Sequence, residues 1–577
     1  MDGLLSRYSA YFVFLVPVSL ALCLLAGTSA LAQTPSEIEG VNRAVDQIQR
    51  EQQERQQQQL LLDKQRGKQT EPQELPEVKP QSFPKGECRE IREIVLTGVK
   101  LLPQSVIRKL VAPYEGKCLF AEDVEKVLAD ILKAYIDRGF IAVRPYIQAQ
   151  DLSSGRLEIF ILEGKVEGLL LDDDDKHSVN LTTAFPFVKG KPLNLRDIEQ
   201  GLDQINRLAS NNATMEVSPG AEPGASIVNI INPPSFPVSA YATINNLGSQ
   251  STGKDQGSFT LSLDNPLRLN DFITYTHSRT LFEPNQDRKS TSNSFFYSLP
   301  LGYFTLQQSY SSSDYRTPLI TSARTLVAHG DSETFRTELN KVAYRDQNQK
   351  LTALVAINRK STMNYLEDEF LSVSSRKLTI LDVDLNWAKR FSTFSVNLGF
   401  GWSKGLKWFD ALVDQAGLDD AAPHAQGSKF RFSGGAQVPF SVFGQGISFS
   451  TQFTGQYADE PLYGSEQITI GSHYSVRGFN KYSLAGDRGY FVRNELSTSL
   501  PKLPFLNITV RLFLGFDAGR IEDYKSTDSA NLSGAAMGIR CSGKHLMGEL
   551  SALKSISVPD ACERESVQCF ATVTAKF

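Results

Sequence analysis

Histidine is scarce in this 577-residue chain: six in all, His177, His277, His329, His424, His473 and His545, scattered along it. No nucleophile elbow, metal-ligand spacing or nucleotide-binding motif accompanies them, so the expectation is a protein that is not an enzyme and has no cofactor and no metal. An excess of one charge is missing as well. Lys+Arg number 60 against 64 Asp+Glu, a net charge of −4, which points to neither nucleic acid nor a strongly acidic partner. Long apolar runs are absent but for residues 11–25 (YFVFLVPVSLALCLL), a run interrupted by Pro17 and short against the ~20 residues of a spanning helix. Arg7 precedes it and the small-residue site Ala30-Leu31-Ala32 follows, so residues 1–32 read as a cleaved signal peptide. Leu22 is a poor fit to the small residue that lipoprotein processing at Cys23 would want. Cysteine is sparse too, and without zinc-site spacing. In an oxidising compartment pairs are favoured: Cys88 with Cys118 would staple the first folded module, and Cys562 with Cys569 would close a short loop, leaving Cys541 over. Sequence alone does not settle that connectivity.

What is present is patterned. Residues 36–66 lack proline and are rich in Gln, Glu and Arg, good helix formers, with Pro35 and Ser36 suited to a helix start. A helix of this length would run ~46 Å, and its middle, Gln52 to Gln59, is polar all round, which suits water or polar walls; a disordered Gln-rich tail is the alternative. The proline-rich stretch that follows reads as an extended linker. Thus residues 33–70 are expected to form a helix and 71–87 a linker. Two similar units follow, 88–164 and 165–236, each with strands around amphipathic helices. In the first, Val124, Val127, Leu128, Ile131, Leu132 and Tyr135 share one helical face. Asp172 to Asp175 read as a solvated loop.

From residue 237 to 577 the pattern changes to period two. Phe394, Val396, Leu398, Phe400 and Trp402 alternate with Ser395, Asn397, Gly399 and Gly401; Leu381, Val383, Leu385 and Trp387 alternate with Asp382, Asp384 and Asn386. Alternation over ~10 residues marks a transmembrane β-barrel, the one route across a bilayer besides helices. Sixteen antiparallel strands fit, at roughly twenty-one residues per strand and connection. Short turns alternate with long loops, the longest at 458–489, and the chain closes on Phe577, the kind of terminal aromatic that barrel-assembly machinery reads.

Five blocks carry a family resemblance. Asn245-Asn246-Leu247-Gly248-Ser249 with Leu263-Asp264-Asn265-Pro266-Leu267 and Asn270-Asp271 open the barrel. Tyr135, Gly139-Phe140, Gly155 and Glu163-Gly164 mark the first unit, and Pro192 to Glu199 with Pro219-Gly220 and Pro223-Gly224 the second. Val476-Arg477-Gly478-Phe479 lies in the long loop, and Phe513, Gly515, Asp517 and Gly519 share one parity of a later strand. Together they resemble the two-partner secretion transporters, outer-membrane partners of filamentous haemagglutinins and haemolysins. The resemblance implies two periplasmic polypeptide-transport-associated (POTRA) domains and a sixteen-stranded barrel plugged by the polar helix. Its partners would be outer-membrane lipids, the assembly machinery and one large exoprotein with an N-terminal secretion domain. It also implies that the long loop folds inward and that Arg477 forks onto the lumen-facing Asp517. A lumen is wet, so that contact is expected to be screened and worth on the order of 1 kcal/mol. A β-barrel assembly insertase is the alternative, although such relatives usually carry more POTRA domains and no plug helix; a passive porin would leave the two docking units unexplained.

Overall fold

The computed structural model describes residues 35–65, 87–172, 178–233, 235–283, 287–320, 324–481, 483–501, 508–526, 528–559 and 564–577. The expected signal peptide, nearly all of the linker, Asp173 to Asp175 and Cys562 lie outside the described residues.

The polar run forms one helix, Pro35–Gln65. The next unit holds a three-stranded sheet ordered Glu93–Thr97, Arg156–Glu163, Val143–Tyr146, the first pair parallel and the second antiparallel. Alternation buries Leu157, Ile159 and Ile161, and against them lies helix Ala121–Ile136 through Val127, Leu128, Ile131 and Tyr135. That helix begins where Asp123 accepts a hydrogen bond from the Phe120 N–H at 2.9 Å, satisfying one of the free donors of a first turn. The Tyr135 hydroxyl donates to Glu163 at 2.8 Å. Burial first, and that carboxylate second, hold the phenol far above its ordinary pKa. Glu163 also accepts from the Lys100 and Leu101 amides, so the charge that ends the central strand is satisfied. Cys88 and Cys118 are disulfide-bonded with Cα atoms 5.3 Å apart, beside the small pair Arg89–Ile91 and Lys117–Leu119. In the chain-entropy account such a crosslink stabilises by about 3–4 kcal/mol.

The second unit repeats the plan. Lys165–Asp172 pairs parallel with Ala225–Ile231, which pairs antiparallel with Thr214–Pro219, over helix Leu195–Asn206 with Ile198, Leu202 and Ile205 buried. Asn194 caps that helix, accepting from the Arg196 amide at 2.8 Å. A shorter helix, Gln104–Val111, precedes the long one in the first unit; helix Leu195–Asn206 ends where Asn206 turns its amide onto Ala213.

Sixteen long antiparallel strands, from Val238–Asn245 to Gln568–Lys576, close into a barrel, the last pairing with the first from Thr572↔Asn245 to Lys576↔Tyr241. Parity divides as expected: Leu398, Phe400, Leu514 and Phe516 are exposed on the outside, while Asn358, Asp382 and Asp517 are buried within. Phe577 exchanges backbone hydrogen bonds with Ala240 at the seam. Cys541 and Cys569 are free thiols, so at Cys569 the expected second pairing is not formed.

The second unit is fixed to three short turns on the barrel's periplasmic rim. Asn180 and Asn270 exchange hydrogen bonds (2.9 and 2.7 Å), Gln200 and Gln204 both donate to the Gly302 carbonyl, and Arg345 pairs with Glu199 and Asp203. This is the local reason for the Asn265…Asn270-Asp271 motif. Asp271 accepts from the Leu267 and Leu269 amides, holding a turn in which Asn265, Arg268 and Asn270 adopt positive φ and the Asn270 side chain reaches the docked domain.

Candidate functional site

Two pieces of chain occupy the lumen. From Val45 onward the helix lies inside the barrel, tied to its wall by polar side chains along its length. Arg376 donates to Asp46 at 2.8 Å and stacks over Tyr463; Gln56 donates to Ser313 (3.1 Å) and Gln59 to Thr276 (3.2 Å); Lys64 donates to both Glu338 oxygens at 2.8 Å. Gln49, Gln52 and Asp63 are buried. A helix without an apolar face therefore finds polar walls, which is why this sequence can be helical here.

The second piece is the long loop. Leaving strand Gln445–Ala458, it passes a 3-10 turn at Gly464–Glu466 and a small hairpin, Ile468–Ile470 with Leu484–Gly486, before strand Arg488–Ser499. Lys360 and Lys429 clamp Glu466 at 2.6 and 3.1 Å. Asp487 closes the loop by accepting from Leu462 and Tyr524 amides. Its tip is Val476-Arg477-Gly478-Phe479, and Arg477 meets Asp517: Nε to Oδ2 is 2.6 Å and Nη2 to Oδ1 2.8 Å, a bidentate fork, with the Arg477 amide also donating to Oδ2 at 3.1 Å.

The other expected residues converge on this contact. Val476 and Phe479 are buried in an apolar cluster with Ile470, Ile521 and Leu532. Gly478 has φ +103°, and any Cβ there would strike the Lys554 backbone, so no other residue fits this turn without strain. A side chain at Gly515 would overlap the Arg477 guanidinium, and Gly519 adjoins Val476. Phe513 lies under Arg540, whose guanidinium is 4.0 Å from the ring centroid. Thus positions 515 and 517 hold Arg477 itself, 519 makes room for Val476 beside it, and 513 carries the neighbouring Arg540.

The expectation of a screened, weak pair is corrected. The Arg477 and Asp517 side chains are only 3% and 1% exposed, because the apolar tip seals them from the lumen. Removing one partner of such a buried pair costs about 3–5 kcal/mol, chiefly by stranding the other charge. Sequence reading also missed several participants. Glu495, on the neighbouring strand, takes Arg477 Nη1 at 3.2 Å and pairs with Arg540, which continues to Glu549 at 2.8 Å. Gly534 has the Arg477 carbonyl where a Cβ would be. Glu54 of the helix accepts from Ser472 at 2.6 Å, and Ser472 in turn accepts from the Tyr474 and Ser475 amides, so the helix grips the turn that presents Arg477. Inward parity was the available signal for Glu495 and Arg540; nothing local marks Glu54 among its polar neighbours.

Residues 224–541 match the model of the haemolysin secretion/activation protein ShlB/FhaC/HecB family, and residues 90–164 and 165–219 match POTRA domains, the first of the ShlB type. The chain belongs to that family. It is an outer-membrane transporter with its POTRA domains in the periplasm. The chain is 34% identical over 486 residues to the outer membrane transporter CdiB of Dickeya dadantii (84% of this chain, 85% of that protein). It is 30% identical over 439 residues to the hemolysin transporter protein ShlB of Serratia marcescens (75% and 76%). CdiB from Escherichia coli has a similar structure, with TM-score 0.82 and 31% identity over 93% of this chain and 98% of that one. These relatives favour the transporter over the assembly insertase.

Proposed function

We propose that this transporter exports one large exoprotein, of the adhesin, haemolysin or contact-dependent toxin class, through its own barrel. The observation that carries the reading is a sixteen-stranded barrel whose lumen is filled by a helix and a loop, separately tethered largely through polar contacts, while a second POTRA domain is fixed to its periplasmic rim. A lumen packed by apolar side chains could not open without losing its core; one packed by hydrogen-bonded helix and loop can exchange those partners for water or for a passing chain. The exoprotein's secretion domain would dock in extended form on a POTRA sheet edge. Strand Thr214–Pro219 ends its sheet with one side unpaired among the described residues, which suits strand addition. The helix and loop then leave the lumen, the chain crosses, and its folding outside supplies the drive. No catalytic step is included, and Arg477 acts by positioning the loop.

Deleting residues 88–233 should abolish secretion and exoprotein binding while leaving a heat-modifiable barrel in the outer membrane. Export at the normal rate by the isolated barrel would overturn the docking role.

A further inference from the structure

The outer wall of the barrel carries a basic cluster that transport does not use. Strands Gln349–Leu366, Arg376–Arg390 and Ser395–Leu406 turn Ile357, Leu381, Leu385, Phe400 and Trp402 outward as part of the apolar band. At the periplasmic end of this wall Lys389 lies against the Trp387 and Phe391 rings, 6.0 and 4.9 Å from their centroids. At the cell-surface end Arg359, Lys377 and Lys404 share the outward parity, since their strand neighbours Asn358, Arg376 and Ser403 make lumen contacts with Asp382, Asp46 and Asp382. Register places Arg359 opposite Thr379 and Lys404 opposite Leu381, so Lys377 and Arg359 sit on a cross-strand diagonal of about 8 Å. Lys407 follows where the last of these strands ends. None of the four forms an ion pair with another described residue.

Beside them the chain folds outward instead of into the pore. The Ala411 amide donates to the Trp408 carbonyl, and Phe409 and Asp410 both have φ +57°. The Thr379 hydroxyl donates to that same carbonyl at 2.8 Å, and Thr379, although it has lipid-facing parity, is only 1% exposed. The turn thus lies on the outer face of the wall and leaves Trp408 and Phe409 more than half exposed, ring against ring at 6.4 Å. Aromatic rings at this height belong to the membrane interface. The acids nearby are Asp410, within the turn, Glu333, which the Tyr310 hydroxyl already engages at 3.1 Å, and Asp331, two residues further along the same outward face; the four cations outnumber these three.

We propose that this patch binds the phosphorylated disaccharide headgroup of lipopolysaccharide in the outer leaflet. Arg359, Lys377, Lys404 and Lys407 would hold its phosphates, and Trp408 and Phe409 would lie between its acyl chains. The cations stand above the apolar band and the rings beside them, the order in which that lipid presents phosphate and acyl chain, and a mobile monovalent headgroup would not need four converging charges.

The test uses the full chain extracted from outer membranes and titrated with vesicles containing lipopolysaccharide, dephosphorylated lipopolysaccharide, or phosphatidylglycerol at equal charge. Tight binding of the first alone is expected. The combined substitution Arg359→Gln, Lys377→Gln, Lys404→Gln and Lys407→Gln should weaken it on the order of a hundredfold, and Lys341→Gln with Lys389→Gln, at the opposite rim, should not. Heat-modifiability verifies the fold; if the fourfold variant fails it, Lys404→Gln with Lys407→Gln replaces it, with roughly a tenfold loss expected. Unchanged binding by the folded variant would overturn the proposal, as would equal affinity for phosphatidylglycerol vesicles.

Discussion

Arg477 makes the charged contact at the tip of a loop of about thirty residues, which Glu466, Asp487 and Ser472 anchor elsewhere. Its guanidinium uses Nε and Nη2 on Asp517 and Nη1 on Glu495, a planar fork that an ammonium cannot reproduce. Arg477→Ala should therefore reduce secretion at least tenfold while the protein still reaches the outer membrane, and Arg477→Lys should also be defective. The double substitution Arg477→Asp with Asp517→Arg should not rescue, because a carboxylate at 477 would face Glu495 in a site closed to water. Exoprotein in culture supernatants, normalised to heat-modifiable barrel, measures all three. Normal secretion by Arg477→Ala would reduce the contact to a structural one.

At the scale of elements, the lumen helix is held near both ends. Asp46 and Lys64, eighteen residues apart, span about 27 Å along the axis, close to the ~30 Å hydrocarbon thickness, and each meets a charge on the wall, Arg376 or Glu338. Between them Gln56, Gln59 and the Glu54–Ser472 contact add further ties to wall and loop. Asp46→Asn with Lys64→Gln should loosen the helix without removing it, so planar bilayers should show more frequent open events. Deleting residues 36–66 should produce a permanently larger conductance. If conductance stays at the wild-type level after the deletion, the helix does not close the pore.

For the molecule as a whole, the joint that matters lies between the second POTRA domain and the barrel. Three consecutive periplasmic turns each take part, and Arg345 alone reaches Glu199, Gln200 and Asp203. The domain that would receive the exoprotein is thus fixed to the periplasmic rim of the barrel. Arg345→Ala leaves Glu199 with Arg196, its other partner at 2.6 Å, so the domain should stay folded while its attachment weakens. Secretion should fall several-fold with exoprotein binding retained. Loss of binding as well would place Arg345 in the docking site instead of the joint.

Much of this was legible in the residues, for physical reasons that differ by region. A β-barrel wall has two solvents, lipid and lumen, so period-two alternation identified the strands, their faces and the inward side of Asp517 without a structure. Helix faces such as Val127, Leu128, Ile131 and Tyr135 are equally local, whereas Gly478 and Gly515 were legible only through the family resemblance, because the groups that crowd them, the Lys554 backbone and the Arg477 guanidinium, come from distant segments. What local pattern could not decide is which polar groups meet across the lumen. Glu54 with Ser472, Lys64 with Glu338 and Arg540 with Glu495 join segments tens to hundreds of residues apart, and each partner alone is indistinguishable from a solvated charge. Nor could it show that the Val476 and Phe479 side chains seal the Arg477–Asp517 pair from water, which turns a contact expected to be weak into a strong one. Burial depends on the whole packed shell, and only the tertiary structure assembles that shell.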